Sequence, residues 1–345
     1  MPYTGIFGER RGRGVDKEGR GWEDAGVTGP RRKGAAVITK QTVLVLGAGA
    51  SAPYGYPVGE ELYDHVIREL RSPSSLLRMF LCTLASDAQL DILGHDLLYS
   101  RPSSIDAFLE RRPELVEVGK AAIAYVLIQK ENLDALFPVV RGEEFRKNDW
   151  YWRLWSVMSG DFESFGENAL GVITFNYDRS LEQFLFTALK NLHNKRDSQC
   201  AEQIARIPII HVHGSLGPLP WQPGGGRHYQ ATENDRVIRE SAASIEIIPH
   251  KASENPAFAK ARELLPKADR VYFMGFGFHP KNIERLHLEK CEPRVVVGGT
   301  VLGLTAKESN EAQKGINKYL RSPRTRHVLR NENCRAFLRG WAELD

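Results

Sequence analysis

The hydrophobic positions of the chain fall into two kinds of pattern. Five short runs are continuously apolar and rich in β-branched residues: Thr42–Leu46 (TVLVL), Gly171–Phe175 (GVITF), Ile207–Val212 (IPIIHV), Arg270–Met274 (RVYFM) and Arg294–Val297 (RVVV). A strand with one wet face alternates, whereas a strand covered on both faces does not, so these runs predict a parallel sheet. Four other segments, Gly59–Leu70, Arg179–Leu192, Pro256–Leu265 and Asn282–Lys290, carry apolar residues at three- and four-residue spacing and predict helices with one buried stripe. Alternation of the two predicts an α/β fold, a Rossmann-like parallel sheet with helices on both faces.

Between Ser72 and Asn168 the pattern changes to helix-like segments with no strand run, including an apolar helix over Leu115–Lys130 and the aromatic group Trp150, Tyr151, Trp152 and Trp155. This predicts a large helical insertion at about 72–168, packed over one edge of the sheet. Its aromatics read as packing, because no basic residues interleave them as a base-stacking surface needs. The domain itself is expected over 37–305. A helical extension follows over 306–345, with Phe337, Leu338, Trp341 and Leu344 on one stripe that docks on the core or forms an oligomer contact. Residues 1–36 are rich in glycine and arginine and poor in large apolar residues, so they read as a disordered leader.

Composition narrows the class. With 42% hydrophobic and 26% charged residues the 345-residue chain is of ordinary globular make-up. Its formal charge is +4, of which residues 1–36 carry +3, so the folded body is nearly neutral and is not expected to bind nucleic acid. Cys82, Cys200, Cys291 and Cys334 form no C-x-x-C pair, which removes the usual zinc-ribbon and redox readings. The longest apolar run, Ala121–Ile128, is well short of the roughly 18 residues of a bilayer helix. A cytoplasmic protein without a membrane span is the expectation.

Four motifs at strand ends carry candidate chemistry. After the first strand, Gly47-Ala48-Gly49-Ala50-Ser51 lets the main chain approach a ligand, and a helix N-terminus beyond it would offer N–H groups to a pyrophosphate. The acidic residue that a nicotinamide dehydrogenase carries at the end of a second strand about 20 positions on is not there. Thr174-Phe175-Asn176-Tyr177-Asp178 ends the second run. Asn176 or Asp178 could cap the next helix, but one cap explains only one of them. His211-Val212-His213-Gly214-Ser215 ends the third run. Alternation puts both histidines on one face, yet no third ligand has metal spacing, so no metal is expected; His211 reads as a satisfied core histidine and His213 as a base at the mouth of a cleft. Gly275-Phe276-Gly277 follows the fourth run, either to bring backbone to a ligand or to pack a tight corner.

In this order the motifs resemble the sirtuin-like superfamily, named for the silent information regulator 2 deacylases, over roughly Val37 to Gly299. Gly47-Ala48-Gly49-Ala50-Ser51 with Gly55-Tyr56-Pro57 is similar to the family's nucleotide-binding opening. Thr174-x-Asn176-x-Asp178 resembles its central motif, and His213-Gly214-Ser215 its catalytic histidine segment. Deacylases of the family carry a zinc module with two C-x-x-C pairs and continue Gly-x-Pro into Asp-Phe-Arg; this chain has no such pairs and has Val58-Gly59-Glu60 there. The helical insertion, Gly275-Phe-Gly277 with Asn282 downstream, and Trp221 instead resemble the bacterial branch that hydrolyses NAD.

That resemblance implies an NAD glycohydrolase acting as an anti-phage effector that depletes NAD, controlled by a regulatory partner protein or by homo-oligomer assembly. It implies NAD as substrate, with Asn176, His213 and Asp178 catalytic and Gly47, Ala48, Gly49, Ser51, Pro57, Thr174, Gly214, Ser215, Gly275, Gly277 and Asn282 holding the dinucleotide. Two other readings stay open: an NAD-dependent protein deacylase or ADP-ribosyl transferase, and a module that senses NAD or ADP-ribose without turnover.

Overall fold

The computed structural model describes residues 38–247, 255–320 and 327–344; the expected leader at 1–36 lies outside them. Six parallel strands form one sheet in the order β3-β2-β1-β4-β5-β6. They are β1 (Thr42–Leu46), β2 (Leu170–Thr174), β3 (Ile209–His211), β4 (Arg270–Met274), β5 (Val296–Thr300) and β6 (His327–Arg330). This is the α/β, Rossmann-like architecture that the apolar runs predict.

The continuous hydrophobicity of the strands has the expected cause. Along β1, Leu44 and Leu46 join one buried cluster while Val43 and Val45 join another, and along β4 Tyr272 and Met274 divide from Val271 and Phe273 in the same way. Alternate side chains point to opposite faces, and both faces are covered. The first cluster includes the long segment between β1 and β2, whose apolar helix Val116–Ile128 is almost wholly buried. The second is closed by the helices Pro256–Leu264, Pro280–Leu286 and Ala306–Tyr319.

Two differences from the sequence expectation have physical reasons. The fifth strand runs to Thr300 rather than stopping at Val297, through Gly298 and Gly299. Glycines are poor strand formers and hid it, but a Cβ on Gly299 would lie 2.6 Å from the Phe273 carbonyl oxygen, so the sheet needs them there. The stretch 306–345, expected to be helical, has its two helices, Ala306–Tyr319 and Cys334–Gly340, with the edge strand β6 between them. An edge strand needs less apolar surface, and His-Val-Leu-Arg has only two apolar residues to show. The C-terminal stripe docks on the core: Phe337 and Leu338 are buried, Phe337 packs edge-on against Tyr272, and the guanidinium of Arg330 covers Trp341.

The strand order sets where a ligand can sit. The chain leaves β1 toward β2 and β3 on one side, then crosses to β4, β5 and β6 on the other. Crevices in open parallel sheets form at such a reversal, outside the carboxyl ends, which here are the turns after Leu46 and Met274.

Candidate active site

The two glycine turns meet at that reversal. The Gly47 N–H donates to the Met274 carbonyl (3.1 Å) and the Gly49 N–H to the Gly275 carbonyl (3.0 Å). Gly275 has φ +57°, and a Cβ on it would stand 2.0 Å from the Ala50 nitrogen. At Gly47 and Gly275, then, glycine is required first by backbone packing on backbone, and a Cβ on Gly49 would crowd Gly275 at 3.0 Å, the corner-packing reading of Gly275-Phe-Gly277. Gly277 has nothing within 4 Å of where its Cβ would be.

The helix after the first turn begins later than the motif suggests. Two short 3-10 turns, Ala48–Ala50 and Ala52–Tyr54, come first, and the α-helix starts at Gly59. Val58 and Gly59 line a cavity of about 860 Å³ that also touches Ala48, Gly49, Gly275 and Gly277, so the helix N-terminus does reach the crevice. Its far wall is Thr300 at the end of β5, Leu302 beyond it, and Glu332, Asn333 and Cys334 after β6. The Thr300 hydroxyl accepts a hydrogen bond from the Gly275 N–H (2.9 Å), joining the two walls.

Asn176, Asp178 and His213 lie on the other side of β1, beyond the ends of β2 and β3, and do not line that cavity. Asn176 is held through both its side chain and its backbone. Its Nδ2 donates to the Gly47 carbonyl (2.9 Å) and to Ser51 Oγ (3.0 Å), and its backbone N–H donates to Thr174 Oγ1 (3.1 Å). A carbonyl can only accept, so the amide is oriented with its nitrogen toward Gly47 and its Oδ1 turned away from that pair. The Ser51 hydroxyl in turn donates a hydrogen bond to Asp178 Oδ2 (2.6 Å).

Asp178 therefore has two functions. Its Oδ1 accepts from the Ser180 N–H (3.1 Å) and hydroxyl at the start of the helix Ser180–His193, which is the capping role; its Oδ2 fixes Ser51 and, through it, Asn176. Burial pushes the Asp178 carboxyl above its ordinary value, and the serine donors pull it partly back. Both carboxylate oxygens of Asp178 are thus engaged inside the protein.

The two histidines have different surroundings. His211 has both ring nitrogens engaged, Nδ1 with the Asn176 carbonyl (2.8 Å) and Nε2 with Glu182 Oε1 (2.6 Å). Burial pulls its pKa down, but the Glu182 carboxylate more than offsets this and the net shift is upward. Neither nitrogen is left for a metal. His213 packs against the rings of Phe175 (5.6 Å) and Phe258 (5.7 Å), and its imidazole also meets the backbone of Glu246. Burial lowers its pKa, so the ring is neutral over a wider pH range than usual.

The other expected residues are dispersed. Gly214 has φ +69° and lets the Ser244 carbonyl approach to 2.1 Å from where a Cβ would be; the Ser215 N–H donates to that carbonyl (3.2 Å). Both hold the segment around Ser244–Glu246 against the His213 turn. Pro57 lines a separate surface cavity with Tyr56 and Glu61, and Asn282 is half-buried in the first turns of Pro280–Leu286.

Several supporting residues carry no signal in the sequence motifs. Trp150, fully buried, donates from Nε1 to the Ala50 carbonyl (2.7 Å), and Tyr151 hydrogen-bonds Ser180 Oγ (2.6 Å), so the insertion clamps both the glycine turn and Asp178's partner. Arg179 is buried against Glu131 (2.9 Å), which also pairs with Arg227, and it donates to the carbonyls of Gly217, Pro218, Arg227 and His228. That network fixes the loop after His213. The only hint of the far cavity wall is Asn333, a good N-cap residue, whose side chain does accept from the Ala336 N–H (2.8 Å).

Comparison with known families places residues 171–290, from β2 through β4 to the end of the following helical turn, as a match to the SIR2-like domain. No curated protein matches the chain.

Proposed function

Taking as premise that the chain is sirtuin-like, by its SIR2-like domain at 171–290, we propose that it hydrolyses NAD to nicotinamide and ADP-ribose. The observation that carries this is the pairing, at neighbouring strand ends, of an amide locked in one orientation with an imidazole that burial among aromatic rings keeps neutral over a wide pH range. A crevice with glycine turns and a helix N-terminus on its wall, and with no lysine or arginine lining it among the described residues, suits a pyrophosphate held by N–H groups.

The chemistry follows from the bond that breaks. Nicotinamide leaves a cationic pyridinium as a neutral base, so the leaving group needs no acid. Positive charge develops on the ribose and must meet water. Asn176 Oδ1, free of the Gly47 and Ser51 contacts, is suited to accept from a ribose hydroxyl or the attacking water, and its value is orientation. His213 is suited to take the proton. Asp178 acts through Ser51 by keeping Asn176 aimed. The biological role that the resemblance adds is NAD depletion in anti-phage defence, under a partner protein or self-assembly.

The test is to incubate the purified chain with NAD, with and without an acyl peptide, and follow nicotinamide and ADP-ribose. Release without an acceptor is expected, and Asn176→Ala and His213→Ala should each lower the rate by about 10²–10⁴. Release only with the peptide would replace hydrolysis by deacylation or transfer, and binding without product would make the chain a sensor.

A further inference from the structure

The charge on the cavity wall bears on which dinucleotide fits. The cavity spans the carboxyl ends of β1, β4, β5 and β6, three strand spacings or about 14 Å. Asn176 and His213 lie on the β2–β3 side of the same reversal. A dinucleotide with its pyrophosphate at the glycine turns and its reacting sugar toward Asn176 therefore has its adenosine half over β4–β6. The charged side chains that line this half, among the described residues, are both acidic: Glu144 and Glu332.

Glu144 is exposed and bonded to Asn148 Nδ2 (2.7 Å). Glu332 is half-buried at the end of β6 and makes no hydrogen bond or ion pair among the described residues. The guanidiniums nearest it in sequence are turned elsewhere, Arg330 over the Trp341 ring (3.3 Å) and Arg335 toward Trp152 (5.9 Å). An unpaired carboxylate can accept from the vicinal hydroxyls of a ribose and repels a phosphate on the same sugar. Dinucleotide folds that take an unphosphorylated ribose place an acidic residue at a strand end for this purpose, and those that take a 2′-phosphate place an arginine.

We propose that Glu332 selects an adenosine ribose with a free 2′-hydroxyl, so that the site takes NAD and rejects NADP. The proposal rests on the dinucleotide reading above. Here β6, the strand that the sequence pattern hides, supplies the acidic residue that was missing after a second strand.

Calorimetric titration of the full chain with ADP-ribose and with 2′-phospho-ADP-ribose tests it without relying on turnover. The wild-type chain should bind ADP-ribose at least about tenfold more tightly. Glu332→Gln, nearly isosteric, should shrink that ratio several-fold, and Glu332→Lys should favour the phosphorylated ligand. Equal affinities in the wild type, or a ratio that Glu332→Gln leaves in place, would overturn the selection while leaving the dinucleotide site intact. Failure to bind either ligand or NAD would remove the dinucleotide reading, and this proposal with it.

Discussion

At the scale of single residues, the two histidines of one short segment show how environment assigns roles. They are two positions apart, yet His211 is bracketed by a carboxylate and a carbonyl while His213 is surrounded by aromatic rings. The lowered pKa of His213 has a kinetic consequence. A base must be unprotonated, so the acid limb of the pH profile of kcat/KM should fall below the ordinary histidine value of 6.5. Loss of activity already at pH 7 would show that another group titrates. For stability the sign agrees: a depressed histidine favours folding above the unfolded value, and that contribution is lost as pH drops through the folded one. The sequence placed His213 at a strand end. It could not reveal that Asp178 spends its carboxylate on Ser51 and Ser180, because those partners are 127 and 2 residues away and only folding sorts them.

At the scale of elements, the His211–Glu182 contact ties β3 to the helix Ser180–His193 and, through the Asn176 carbonyl, to the turn after β2. His211 is raised in the folded state, so the pair stabilises fully below the unfolded value of about 6.5 and weakens as pH rises through the folded value. Glu182→Gln should therefore cost about 1.5–3 kcal/mol at pH 6 and clearly less at pH 9, read from urea unfolding at both pH values. An equal cost at both would mean that the imidazole is never charged. Strand boundaries were legible where apolar residues filled them, as in β1 and β4. They were not where glycine was needed for packing, as in β5, or where an edge position tolerated polar residues, as in β6.

For the whole molecule, the segment between β1 and β2 is more than a covering. Trp150 reaches from it to the Ala50 carbonyl, and Tyr54 stacks on Tyr151 at 3.8 Å, so the glycine turn is held from above by the insertion and from below by Gly275. Trp150→Phe keeps most of the buried ring but strands that carbonyl. It should cost about 1–3 kcal/mol in denaturant unfolding and lower NAD turnover together with it, through loss of position at Asn176. Unchanged stability would mean that water replaces the indole.

The sequence alone determined the α/β class, five of the six strands among the described residues, and the residues offered at their carboxyl ends. These depend on local patterning, since a strand buried on both faces must be apolar throughout and a turn that meets backbone must be glycine. Tertiary structure decided which of those residues face one another. It engaged both nitrogens of His211 and set His213 among aromatic rings, turned Asp178 inward and completed the crevice with Thr300 and Glu332 from late in the chain. Hydrogen bonds and like-charge repulsion act over a few ångströms of space, and the order of residues along the chain does not encode that distance until the sheet has assembled.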